Sequence, residues 1–113
     1  MTADSGGSRV TNVALTSGAA TVTFAARYSH VEVKNEAATA ETMYVRTDGT
    51  TPASPWNNAY AVTAGERILV PNSAIMWWQG FGAADGTKTN PGTTVNIVSA
   101  TGASTSPVEV TGV

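Results

Sequence analysis

The sequence predicts an all-β chain folded as a single antiparallel β-sandwich, jelly-roll-like in plan. Three observations predict it. Short runs of alternating apolar and polar residues recur at intervals of about 8–12 residues. Gly, Pro and Asn-rich breaks fall between them too often for a long helix, and no segment carries a 3.6-residue period. The 113 residues include 18 Thr, a β-branched type that suits a pleated, half-exposed surface.

Residues 1–8, with Gly6-Gly7 between serines, read as a flexible arm ahead of a domain spanning 9–113. A first strand covers Arg9–Thr16 and stops at Ser17-Gly18. In Ala20–Ala25, Val22 and Phe24 share one face while Thr21 and Thr23 share the other. Tyr28–Asn35 sets Val31 and Val33 against His30, Glu32 and Lys34. Glu41–Asp48 sets Met43 and Val45 against Tyr44 and Arg46, then ends at Asp48-Gly49, a favoured turn pair. The stretch 49–58 holds Pro52, Pro55 and Trp56 and reads as a structured loop. Strands at Ala59–Thr63 and Glu66–Val70 flank Ala64-Gly65. Beyond Pro71-Asn72-Ser73, a strand is expected at Ala74–Gln79, a Gly-rich loop at 80–92, and closing strands at Thr93–Ala100 and Pro107–Thr111.

Composition narrows the function. Charged residues make up 12% of the chain, about half the usual ~25%, so Thr, Ser, Asn, Gly and Ala must cover the surface. Net charge is −2, and the six basic residues Arg9, Arg27, Lys34, Arg46, Arg67 and Lys88 stand singly. Nothing here neutralises a run of phosphates, so no nucleic-acid partner is expected. Without cysteine there is neither a disulfide framework nor thiolate chemistry. The residues after Met1 have no basic or apolar leader pattern, which predicts no signal peptide. No apolar run approaches the ~20 residues of a membrane helix, so no membrane partner is expected.

Catalysis needs groups that move protons, attack, or hold a metal. The lone histidine, His30, stands on a polar strand face, and the eight carboxylates are scattered. Gly80 to Gly86 lacks dinucleotide-fingerprint spacing, and Asp48-Gly49-Thr50 and Asp85-Gly86-Thr87 read as turns. The chain is expected not to be an enzyme, with no catalytic residue, metal or cofactor. The positive signal is aromatic. In a strand, Trp77 and Trp78 point to opposite faces, so both faces of Ile75–Phe81 are apolar. One Trp can enter the core and the other needs separate cover, from the nearby loop, from Trp56, or from a partner. Trp77, Trp78 and Phe81, with Trp56 as a weaker fourth, are the candidate protein-interface residues.

The succession Ala20-Thr-Val-Thr-Phe24, Tyr28-Ser-His-Val-Glu-Val-Lys-Asn35, Tyr44-Val-Arg-Thr-Asp-Gly-Thr-Thr-Pro52, Tyr60-Ala-Val62, Ala64-Gly-Glu66, Val70-Pro71 and Val95-Asn-Ile-Val-Ser99 resembles the small head-decoration (minor capsid, or cement) proteins of tailed bacteriophages. The likeness covers residues 9–113 and consists of turn and core residues. It implies a compact β-sandwich made in the host cytoplasm and placed on the outer capsid surface of the virion. The implied partners are the major capsid protein and further copies of the chain, with a trimer favoured. The segment Pro71–Pro91 departs from the shorter pattern expected there. The rival expectation is a carbohydrate- or protein-binding sandwich of a tail, baseplate or head fibre, in which exposed Trp or Tyr would stack on sugars.

Overall fold

The computed structural model describes the backbone of residues 2–4 and, in full, residues 9–38, 40–73 and 92–113. Its strands are β1 (Thr2–Asp4), β2 (Val10–Ala14), β3 (Ala19–Phe24), β4 (His30–Asn35), β5 (Met43–Arg46), β6 (Tyr60–Val62), β7 (Arg67–Pro71), β8 (Thr93–Ser99) and β9 (Pro107–Gly112). The expected alternation is present: Val22 and Phe24, Val31 and Val33, and Met43 and Val45 are buried, and their neighbours in sequence are half-exposed. One departure stands out. Thr2–Asp4, part of the expected arm, pairs as a parallel strand with β3. The strand expected at Ala74–Gln79 and nearly all of the loop at 80–92 lie outside the described residues.

The strands form two sheets, ordered β1-β3-β8-β5-β6 and β2-β9-β4-β7. The pairs β2·β9, β3·β8, β4·β7 and β5·β6 are all antiparallel. They are the rungs of one long hairpin whose tip is the β5–β6 connection. Rolling that hairpin adds the pairs β4·β9 and β5·β8, and the result is an eight-stranded jelly roll with β1 added at one edge. The buried faces interdigitate Val13, Leu15, Val22, Phe24, Val31, Val33, Met43, Val45, Val62, Val70, Val95, Ile97, Val108 and Val110. Each such side chain contributes roughly 1.5–3 kcal/mol on burial.

The rolled ribbon changes sheet at three corners, and polar groups fasten each one. At the first, Ser17 and Gly18 both take positive φ, 49° and 76°, as a two-residue turn of the I′ kind requires. Gly18 N–H donates to Ser104 O (3.0 Å) and Gly18 O accepts from Ser99 N–H (2.7 Å), tying this turn to the β8–β9 connection. At the second corner the Thr93 hydroxyl donates to Ala26 O (3.0 Å) and accepts from Tyr28 N–H (2.9 Å). Nearby, Asn72 Nδ2 donates to Tyr28 O (2.8 Å) and lies 3.3 Å from Thr93 Oγ1. At the third, the fully buried Asn35 side chain donates to Glu41 O (2.6 Å) and Val62 O (2.9 Å) and accepts from Ala37 N–H (3.0 Å). Its backbone carbonyl accepts from Gly65 N–H (2.8 Å). Buried polar groups must be paired to be tolerated, and these are.

Candidate binding surface

The two outer faces differ in chemistry. On the four-stranded sheet, register aligns Asn12, Glu109, Lys34 and Arg67 in one row. Arg67 Nη1 also reaches Glu32, and it lies 3.2 Å from Glu109. The hydrogen bond to Glu32, then that to Glu109, raises the Arg67 pKa above its ordinary value. Such exposed pairs keep a face solvated and add little stability.

The outer face of the five-stranded sheet presents Thr21 and Thr23 from β3, Thr94, Asn96 and Val98 from β8, Tyr44 and Arg46 from β5, and Ala61 from β6. Among its described side chains the only charge is Arg46, which Asp48 neutralises.

The hairpin tip, residues 47–59, folds back onto this face. Asp48 starts the turn: its Oδ1 accepts from Thr50 N–H (3.1 Å) and the Thr50 hydroxyl (2.6 Å), with Gly49 at φ 87° between them. Thr50 O then accepts from Asn96 Nδ2 (3.1 Å), and Asn96 Oδ1 accepts from the Thr21 hydroxyl (2.8 Å). Pro52 is buried. Further on, Trp56 lies flat on Tyr44, with ring centroids 4.1 Å apart and planes 2° from parallel. Trp56 N–H donates to Ala53 O (2.7 Å), and Trp56 O accepts from Ala59 N–H (3.2 Å). Both Trp56 and Asn58 hold positive φ, 67° and 64°, a conformation costing roughly 1–2 kcal/mol outside glycine.

Arg46 braces the tip from below. Its guanidinium grips the Asp48 carboxylate through Nε (3.2 Å) and Nη2, while Nη1 reaches Asn57 O at 3.4 Å. The Arg46 hydrogen bond, aided by those from Thr50, holds the Asp48 carboxyl at a pKa of about 2. Arg46, Asp48, Asn58, Ala59, Tyr60 and Ser73 line a depression of about 430 Å³ beside the tip.

Of the residues expected at an interface, Trp56 is placed, half-buried on Tyr44. Trp77, Trp78 and Phe81 lie outside the described residues. The depression joins residues that sequence reading had assigned separately to a strand face, a turn and a loop. The sequence signal for it is the Asn57-Asn58 pair directly after Pro55-Trp56. His30 Nδ1 sits 3.0 Å from the Ser29 hydroxyl, yet among the described residues no carboxylate is hydrogen-bonded to the ring. No group of three His, Cys, Asp or Glu side chains that could hold a metal occurs among the described residues. No described helix is long and apolar enough to cross a membrane. No protein-family model matches the chain, and no curated protein or solved structure does either.

Proposed function

We propose that this chain is a structural virion protein that decorates and stabilises the outer surface of a tailed-phage capsid by binding the major capsid protein. The observation that carries the reading is the near absence of charge among the described side chains on the outer face of the five-stranded sheet. Interface centres are depleted in charge and enriched in aromatic residues, and this face offers Thr21, Thr94, Val98 and the Tyr44–Trp56 stack. The resemblance to head-decoration proteins supports it at the level of fold: Asn35, Asp48, Gly49 and Pro52, which carry the likeness, all serve as corner or turn residues here. Jelly rolls are also a common architecture of viral capsid and lectin domains, an analogy of fold alone.

The test is co-sedimentation of the purified protein with mature capsids that lack it. Saturable binding at micromolar concentration is the expected result, and its absence overturns the reading. Thr94→Glu places a charge on the neutral face and should weaken binding at least about tenfold, one buried unpaired charge costing more than 1.4 kcal/mol. Lys34→Glu, on the opposite face, should leave binding unchanged.

A further inference from the structure

We propose that the depression lined by Arg46, Asp48, Asn58, Ala59, Tyr60 and Ser73 is a binding site for one sugar unit of a neutral glycan. The site stands on its own residues and does not rest on the capsid reading. Its volume, about 430 Å³, falls within the roughly 300–1,000 Å³ of small-molecule sites.

The lining decides the chemistry of the ligand. Among the described lining residues the only cation is Arg46, and its fork is already closed on Asp48 and Asn57 O. A phosphate or carboxylate would have to displace the Asp48 carboxylate and meet its charge. An organic cation would meet a carboxylate whose charge is already matched. An isolated carboxylate without other acidic ligands is a poor seat for a divalent ion. The site therefore favours an uncharged ligand.

That ligand must also be rich in hydroxyls. The Asn58 side chain offers a donor and an acceptor, and the Tyr60 phenol offers both in one group. Neither side chain has a hydrogen-bond partner among the described residues, and Tyr60 is 40% exposed. Asp48, whose carboxylate Arg46 holds in place, and Ser73 also line the depression and add an acceptor and a hydroxyl. Sugar hydroxyls donate and accept at once, so they match groups that do the same. The Tyr60 ring supplies an apolar surface for the C–H face of the sugar.

The site is also pre-formed. Asn58 sits at positive φ two residues after Trp56, which does the same. Backbone held this way persists only where surrounding contacts enforce it, and such residues concentrate at ligand sites. Here the Trp56–Tyr44 stack and the Arg46–Asn57 contact hold the backbone, so the ordering cost of binding falls on the side chains alone.

The test is a titration of the full chain, followed by amide chemical shifts, with glucose, galactose, mannose and N-acetylglucosamine and with their neutral oligosaccharides. Inorganic phosphate and glucuronic acid form the charged arm. The expected result is saturable shifts at Asn58, Ala59 and Tyr60 with at least one neutral sugar, at a Kd on the order of 1 mM for a single unit. Asn58→Ala and Tyr60→Ala should each weaken this at least about tenfold. Tyr60→Phe, which removes only the hydroxyl, guards against a folding artefact and should weaken it severalfold with an unchanged Tm. No saturable response to any neutral sugar overturns the proposal. So does tighter binding of phosphate or glucuronate, or full affinity in the Asn58 and Tyr60 variants.

Discussion

Trp56 lies ring on ring with Tyr44, 4.1 Å between centroids, although one residue belongs to a loop and the other to the strand beneath it. The contact turns the hairpin tip into a fixed part of the sheet face. Trp56→Ala should therefore destabilise the domain by about 1–3 kcal/mol, the sum of lost burial and stacking. Trp56→Phe keeps a stacked ring and should cost less than half as much. Urea unfolding of the two variants measures the difference.

Asn35 is expected to be among the least replaceable polar residues. Its amide satisfies Glu41 O, Val62 O and Ala37 N–H inside the protein. Asn35→Ala strands all three and should cost about 2–5 kcal/mol. In Asn35→Asp a carboxylate faces two carbonyl oxygens, so its folded pKa must lie above the unfolded value near 3.9. The stability of that variant should then fall as pH rises from 4 to 7, as thermal melts across that range would show.

Two glycines with positive φ should respond differently to Ala. A Cβ at Gly49 meets open space, so only the backbone conformation is penalised, by about 1 kcal/mol. A Cβ at Gly18 runs into the backbone of Gly102 and Ala103, and the corner cannot yield without breaking its bonds to Ser99 and Ser104. Gly18→Ala should cost about 2–4 kcal/mol. Melting temperatures of the pair separate conformational strain from collision.

The Asp48 carboxyl has a lowered folded pKa, so the stability it adds is present above its unfolded value of about 3.9 and is lost as pH falls through about 2. Its exposed setting limits the effect to under about 1 kcal/mol. The difference in stability between the native chain and Asp48→Asn should be constant above about pH 5 and close between about pH 5 and pH 2. Denaturant midpoints at four or five pH values test this.

The strands were legible in the sequence because each buries one face, and a period of two writes that burial directly into residue order. Val31, Val33, Met43 and Val45 needed no partner to be recognised as core. The pairing was not legible. Nothing local to Val22 states that Val95 stands opposite it, because the corners that set register are made by hydrogen bonds between distant segments. The same holds for the site. Arg46 and Asp48 were read as a strand residue and a turn residue, and only the folding-back of the tip places Asn58 and Tyr60 beside them. Trp77, Trp78 and Phe81 are interface candidates on local pattern alone, and they lie outside the described residues.

The contact between Asn72 and Thr93 has a consequence for how this chain can vary. The two residues bracket the segment from Ser73 to Gly92, and each is bonded to the same β3–β4 connection, through Tyr28 and Ala26. Asn72 and Thr93, at the two ends of that segment, are thus both fastened to the jelly roll's own β3–β4 connection. Closing a longer or shorter chain between two fixed ends changes the entropy only logarithmically, by about 0.6 kcal/mol per doubling of length. The jelly roll can accordingly exchange what it carries at this corner, as a socket accepts different fittings, without renegotiating the packing of its core.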